Sequence, residues 1–257
     1  MRAIRGGMGL GDAIYVQAVA RYLVERGERL EVCTAWPDVF APIAHAVQFA
    51  EFRRQRIDVL AHYSARKGSA RRQFEDVCDA AGLPETAPLA IDWSRTSDIS
   101  DRVRSPDRPM ILVGMPRPPM ARIDGFGKEL MPERAALEAA LSGIRGRAQV
   151  VMVGAGEPLY RFNVDLDLSN RTTVPELFDL AMAADGFLGW VSYLLPLAEV
   201  FSKRAFFVWS TRGLRAGHTY VRQITPSKII FKPETTKAIF DSAPLEEIER
   251  ASAAALL

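Results

Sequence analysis

The sequence predicts an α/β protein made of two Rossmann-like domains, and three features lead to this prediction. A short strand, a glycine-rich turn and an apolar helix open the chain, as in the first unit of a Rossmann-like fold. The same order begins again with the apolar segment 110–114. Between the two starts, the polar stretch 94–109 contains prolines and is typical of a domain boundary. We therefore expect domains at 1–108 and 109–257.

The composition is typical of a soluble globular protein. The chain has 257 residues, of which 48% are hydrophobic, and its formal net charge of +2 gives no bulk attraction to nucleic acid. No apolar run of about 18 residues is present, so we expect no membrane span. Met1 leads into a strand rather than into the apolar segment of a signal peptide, so we expect no signal peptide. Cys33 and Cys78 are isolated in the sequence, which is typical of reduced thiols in a cytoplasm. The cysteines lack metal-ligand spacing and the 3 histidines are scattered, so we expect no metal site and no cofactor.

The opening segment, Arg5 to Asp12, carries glycines at positions 6, 7, 9 and 11. Glycines let the backbone approach a ligand closely, and the helix that follows points free N–H groups toward the loop. The spacing fits neither the dinucleotide pattern G-x-G-x-x-G nor a P-loop, which needs lysine where Asp12 stands. Because a carboxylate would repel phosphate, Asp12 is a candidate proton acceptor, with helix capping as the simpler alternative.

The segment Gly9-Leu10-Gly11-Asp12-Ala13-Ile14 and the helix after it resemble the N-terminal signature of glycosyltransferase family 9, the heptosyltransferase-like enzymes. The resemblance implies the GT-B architecture, in which two Rossmann-like domains face one another across a cleft. It also implies that Asp12 is the general base that activates the acceptor hydroxyl. Gly9 and Gly11 would then lie on the acceptor side.

Further strands are expected in the first half at 29–34, 46–49 and 57–62. His62, Arg66 and Lys67 come at the end of the last strand and after it, and ligands of α/β folds bind at the carboxyl ends of strands. We assign these three residues to acceptor binding, since arginine suits phosphate and carboxylate groups. The surrounding basic cluster could also grip a nucleic-acid backbone, but few aromatic residues accompany it.

The second half begins with the strand 110–114, and the loop after it contains Arg117 and Lys128. The family has a lysine just before the next helix, and Lys128 matches it. We expect Lys128 to neutralise the departing diphosphate of the donor, with Arg117 binding the donor from the same loop. The next strand, 148–153, ends at Gly154, where family members have a glycine-rich segment.

Residues 165–185 resemble the family segment that precedes its donor site. After the strand 186–189, the family's Asn-Asp-Ser-Gly-Pro pattern and its histidine are reduced to Ser192. Glu199 stands in a helix similar to that of retaining GT-B enzymes whose glutamate binds the nucleotide ribose. A carboxylate can accept two hydroxyl hydrogen bonds. We therefore expect Ser192 and Glu199 to bind the donor.

A strand at 204–209 and a final helix at 244–256 follow, and in GT-B enzymes such a helix often crosses back to the first domain. Together these features predict a metal-independent glycosyltransferase that moves a sugar from a nucleotide-diphosphate sugar to an acceptor hydroxyl. The acceptor is open: a glycolipid core, a modified nucleobase or a small molecule. The reduced donor pattern favours an alternative, a degenerate GT-B protein that binds a nucleotide or a partner without catalysis. The missing glycine fingerprint disfavours a nicotinamide oxidoreductase.

Overall fold

The computed structural model describes residues 1–53, 56–62, 71–117, 130–212 and 225–257. The chain divides into two compact units, the first formed by 1–94 with 227–231 and the second by 95–226 with 232–257. Each unit has one sheet, and every strand pair in both sheets is parallel, with helices in the connections between strands. The predicted α/β class is therefore confirmed.

The first unit has a four-stranded sheet of order β3-β2-β1-β4. Its elements are β1 (Arg2–Arg5), α1 (Leu10–Val24), β2 (Leu30–Cys33), a 3₁₀ helix (Pro37–Ala46), β3 (Val47–Ala50), β4 (Val59–Leu60) and α2 (Gln73–Ala80). Ile4 at the centre of the sheet pairs with Val32 on one side and Val59 on the other. All three side chains are buried. Apolar residues at such positions are expected in a parallel sheet covered on both faces.

The second unit has a six-stranded sheet of order β10-β9-β8-β5-β6-β7. Its elements are α3 (Ile99–Val103), β5 (Met110–Gly114), α4 (Arg134–Ser142), β6 (Gln149–Val153), β7 (Leu166–Asp167), α5 (Val174–Ala183), β8 (Gly186–Gly189), α6 (Leu194–Val200), β9 (Arg204–Trp209), β10 (Thr236–Phe240) and α8 (Leu245–Leu256). The short helix α7 (Pro226–Ile229) comes between β9 and β10 in the chain, and all of its residues after Pro226 belong to the first unit. Numbered from β5, this is the 3-2-1-4-5-6 strand order of a Rossmann fold. Every residue of the central strands β5 and β8 and of the neighbouring β6 is buried, so these three strands lie in the core of the unit.

The division between the units falls after Ser94, whereas the sequence predicts it after residue 108. The polar stretch that looks like a linker is held within the second unit. The backbone N–H and the hydroxyl of Thr96 and the hydroxyl of Ser97 donate to the fully buried Asp179 of α5, over distances of 2.7–3.1 Å. Farther along, the Ser105 N–H donates to the Gln149 side chain at 2.8 Å.

The final helix, α8, belongs to the second unit. It packs against α4 and β9. Gly143 at the end of α4 permits this approach, because a Cβ there would lie 2.2 Å from the carbonyl oxygen of Glu249. The Ser252 hydroxyl then donates to the Ala140 carbonyl at 2.8 Å. The late segment that joins the first unit is 227–231, where Phe231 packs edge-on against Phe74.

No helix in the described part of the chain is long and apolar enough to cross a membrane.

Candidate functional site

Each sheet has one point where the strand order changes direction, and α/β proteins bind ligands at the carboxyl ends of the strands beside such a point. In the first sheet the change lies between β1 and β4, and in the second it lies between β5 and β8. The segments that leave these four strands carry most of the residues that the sequence singles out.

Asp12 lies in the first turn of α1, just beyond the carboxyl end of β1. The helix begins at Leu10 with Gly9 as its N-cap residue, so Asp12 is the third helical residue and not the N-cap itself. Its Oδ2 accepts a hydrogen bond from the Gly9 N–H at 3.1 Å. Since glycine has no side chain, this is one half of a capping box. The hydrogen bond fixes the carboxyl group and leaves Oδ1 on its other side.

His62 follows β4 and faces this carboxyl group. Its Nε2 lies 3.8 Å from Asp12 Oδ1, and 17% and 24% of the two side chains, respectively, are exposed. The structure therefore brings together two predicted site residues that come from different strands. Gly7 makes the approach possible, because a Cβ at Gly7 would lie 2.1 Å from Asp12 Oδ2 and 2.9 Å from His62 Nε2.

Burial shifts both groups toward their neutral forms. Desolvation raises the pKa of the Asp12 carboxyl above its ordinary value of 3.8, and the charge of His62 and the Gly9 N–H oppose the shift. Desolvation lowers the pKa of His62 from 6.5, and the Asp12 carboxylate opposes that shift. A carboxyl group with a raised pKa accepts a proton more readily than an ordinary aspartate, which suits a general base.

Trp36 adjoins this edge, although the sequence analysis gave it no role. It follows β2, and its indole Nε1–H donates to the Met8 carbonyl at 2.9 Å. The bond anchors the glycine loop from the side of the neighbouring strand. Its place just beyond the strand predicted at 29–34 is the signal that could have identified it.

Of the other residues that the sequence assigns to the acceptor, two lie at the start of α1 and two lie outside the described residues. Gly9 holds Asp12 as described, and Gly11 is the second residue of α1. Arg66 and Lys67 lie outside the described residues, as does Lys128 on the donor side.

Arg117 and Gly154 lie at the ends of the neighbouring strands β5 and β6. The Arg117 Nη1–H donates to the Ala155 carbonyl at 2.6 Å, and its guanidinium covers Gly156, where a Cβ would lie 2.1 Å from Nη1. Gly154 and Gly156 have φ angles of +146° and +104°, which favour glycine. The Asn170 side chain accepts from the Gly156 N–H at 2.6 Å and so fixes the loop.

Ser192 lies between β8 and α6, where its Oγ accepts a hydrogen bond from the Leu194 N–H at 3.3 Å. Two aromatic residues flank it. The Trp190 indole N–H and the Tyr193 hydroxyl are buried and have no hydrogen-bond partner among the described residues. The Tyr193 hydroxyl lies 3.6 Å from the position of a Cβ on Gly154, so the end of β8 adjoins the glycine loop. Burial raises the pKa of Tyr193, and its hydroxyl therefore keeps its proton.

Glu199 does not join this group, which corrects its assignment to the donor ribose. Its side chain is fully buried on α6, and Oε1 accepts a hydrogen bond from the Lys232 N–H at 2.8 Å. The Lys232 ammonium in turn donates to the Glu199 carbonyl at 2.7 Å. Since Lys232 precedes β10, these bonds lie toward the amino ends of the strands. The carboxylate positions the segment before β10.

Within the described residues, no group of three or more His, Cys, Asp or Glu side chains could hold a metal ion.

No protein-family model matches the chain, and no curated protein matches its sequence. Solved structures do match. The dodecameric iron-containing heptosyltransferase TibC, in complex with ADP-D-β-D-heptose, superposes with a TM-score of 0.55 at 15% identity, covering 80% of this chain and 57% of that one. The E. coli ADP-heptose lipopolysaccharide heptosyltransferase II gives 0.56 at 15% identity, with 98% of both chains covered. A family 9 glycosyltransferase from Veillonella parvula gives 0.56 at 11% identity, covering 93% and 85%.

The chain thus has the heptosyltransferase-like α/β fold that its sequence predicts. It spans 57% of the length of TibC. At such identities the similarity establishes the fold, while the chemistry has to be argued from the residues themselves.

Proposed function

We propose that this protein is a glycosyltransferase that moves a sugar from a nucleotide-diphosphate sugar to an acceptor hydroxyl, with Asp12 as the general base. The observation that carries the proposal is the position and environment of the Asp12 carboxyl group. It lies at the β1–β4 switch point, held by the Gly9 N–H, partly exposed and with a raised pKa. The fold supports the proposal, since TibC is described with bound ADP-heptose.

In this proposal Asp12 removes the proton of the acceptor hydroxyl as the oxygen attacks the anomeric carbon of the donor. The bond between that carbon and the diphosphate oxygen breaks, and its electron pair leaves with the nucleoside diphosphate. Oδ1 is the oxygen suited to take the proton, because Oδ2 already accepts from Gly9. Removal of the proton makes the hydroxyl a stronger nucleophile.

The donor half of the proposal rests on the second unit. Arg117 at the end of β5 is a fixed cation, and Lys128 in the loop after it is a second one in the sequence. We infer that these cations, rather than a metal ion, neutralise the departing diphosphate. The buried N–H of Trp190 and hydroxyl of Tyr193 would donate to the bound nucleotide, which supplies the acceptor atoms that they lack among the described residues.

Calorimetric titration with nucleoside diphosphates and their sugar conjugates, beginning with ADP and ADP-heptose, tests the donor. We expect one family of nucleotides to bind and its sugar conjugate to release nucleoside diphosphate when acceptor hydroxyls are added. Arg117→Gln should weaken binding about tenfold or more, since a hydrogen bond to a charged group contributes about 1.5–3 kcal/mol. Arg161→Gln is the matched control, because Arg161 is an exposed arginine of the same unit that pairs with Asp167 at 3.0 Å. Failure of every nucleotide to bind would contradict the proposal.

A second candidate function is nucleotide binding without catalysis. It is favoured by the end of β8, where the Ser192 Oγ already accepts a hydrogen bond from the Leu194 N–H and aromatic residues lie on both sides of Ser192 in the sequence. This candidate predicts nucleotide binding with no release of nucleoside diphosphate from any sugar conjugate. The same titration followed by a turnover assay separates the two functions.

A further inference from the structure

We propose that Asp12 and His62 act as a dyad in which the proton taken from the acceptor hydroxyl passes from Asp12 Oδ1 to His62 Nε2. This inference rests on the proposed function, and it gives His62 a part in proton transfer beyond the acceptor binding expected from the sequence.

The geometry is that of a pair built on two separate strands. Asp12 is reached from β1 and His62 from β4, and these strands are hydrogen-bonded neighbours. The Gly9 N–H holds Oδ2, so Oδ1 is the oxygen that lies 3.8 Å from His62 Nε2. A hydrogen bond needs about 2.8 Å, and a movement of about 1 Å or one bridging water would connect the two atoms.

Gly7 gives independent support for a functional pair. Its Cα faces both groups at once, and a Cβ there would lie within 3 Å of each of them. The chain therefore places its smallest residue where the carboxyl and imidazole groups meet. Both side chains also keep part of their surface exposed, as groups that exchange a proton with a substrate must.

The two groups influence each other's charge. Burial disfavours charge on each member, and the charge of each member favours the charged form of the other. Of the neighbouring elements, β1 ends in Arg5, whose guanidinium lies over the Phe52 ring. The strand β2 ends in Cys33, and burial raises the pKa of that thiol. On α1 the next charged side chain, Arg21, donates to the Pro88 carbonyl.

The proton and charge balance is simple. The pair starts as an Asp12 carboxylate beside a neutral His62. The acceptor O–H bond breaks, the new bond from oxygen to the anomeric carbon forms, and the nucleoside diphosphate leaves with the electron pair. The proton reaches His62 through Asp12, so the pair ends as an imidazolium beside a carboxylate. Release of that proton to water restores the first state.

The first test is an NMR titration of the histidines in the free protein and in Asp12→Asn. The chain has 3 histidines, and the signal missing from His62→Gln identifies His62. In the dyad the Asp12 carboxylate favours the charged imidazole, so the pKa of His62 should be lower in Asp12→Asn than in the parent protein. His45, on the 3₁₀ helix, is the internal control and should not move. An unchanged His62 pKa would overturn the dyad.

The second test uses turnover of the nucleotide sugar selected by calorimetry, with water as the acceptor. His62→Gln should lose roughly tenfold or more in kcat while donor binding is retained, and His45→Gln should match the parent. The acid limb of the pH–rate profile should become shallower in His62→Gln, since one ionisation is removed from it. A His62→Gln variant with unchanged kcat and acid limb, beside an inactive Asp12→Asn, would overturn the dyad and leave the general base intact. Full activity in Asp12→Asn would overturn the proposed function itself.

Discussion

Replacing Gly7 by alanine tests the placement of the Asp12 carboxyl group without removing any functional atom. The new Cβ would lie 2.1 Å from Asp12 Oδ2 and 2.4 Å from its Cγ, where ordinary contacts begin at 3.4 Å. The carboxyl group must therefore move by more than 1 Å, which breaks its hydrogen bond to Gly9. A misplacement of about 1 Å in a catalytic group can lower turnover roughly 100-fold. We expect a loss of that order in Gly7→Ala.

Gly9→Ala is the matched control for this prediction. Its Cβ would lie 3.2 Å from Asp12 Oδ2, so a shift of a few tenths of an ångström accommodates it. Gly9 has φ −76°, which alanine adopts readily. The assay is the initial rate of nucleoside diphosphate release, with circular dichroism and thermal melting to verify folding. Equal rates in folded Gly7→Ala and Gly9→Ala would show that the position of this carboxyl group does not control turnover.

Three further predictions concern stability and the donor. Glu199→Ala should lower the free energy of unfolding by about 2 kcal/mol, because the part-buried Lys232 N–H loses its acceptor, while nucleotide affinity by calorimetry stays unchanged. Weaker nucleotide binding with unchanged stability would restore the ribose role of Glu199. Tyr193→Phe should raise the melting temperature of the free protein, since it removes a buried hydroxyl that has no hydrogen-bond partner among the described residues. It should also weaken nucleotide binding about tenfold. Unchanged nucleotide binding would place the hydroxyl outside the donor site. Asp12→Asn should be more stable than the parent near neutral pH. Because folding raises the pKa of Asp12, the protonated carboxyl stabilises the folded protein of the parent. This stabilisation is present below pH 3.8 and is lost as the pH rises through the raised pKa, and the free energy of unfolding changes by about 1.4 kcal/mol for each unit by which the pKa is raised. The difference in unfolding free energy should therefore shrink toward pH 3, and denaturant titrations at the two pH values measure it.

The first unit shows how much of the fold and of the candidate site a local sequence pattern can predict. The strand, glycine turn and helix at the start predict β1 and α1, and with them the place of Asp12 at a strand end. His62 was correctly expected beyond a strand in the same half. That its ring faces Asp12 depends on the pairing of β4 with β1, which lie far apart in the sequence. No local pattern encodes that contact.

The second unit shows what sequence reasoning missed, and why. Glu199 looks like an available carboxylate on a helix, but the residue that covers it, Lys232, comes 33 positions later. The proline-containing stretch after Ser94 looks like a linker, and only the buried Asp179 shows that it belongs to the second unit. The strand β10 (Thr236–Phe240) was not predicted, because its five residues alternate too briefly to mark a strand. The first two misses involve a partner distant in sequence.

Turnover by Asp12→Asn is the measurement that tests the central claim most directly. Asparagine keeps an oxygen that can accept the Gly9 N–H, but its amide does not take up a proton at neutral pH. The variant should fold and bind nucleotide with the affinity of the parent. It should release nucleoside diphosphate from the nucleotide sugar at a rate at least about 100-fold lower than that of the parent. If folded Asp12→Asn turns over at the parental rate, Asp12 is a helix-capping residue and the argument for a general base at this site fails.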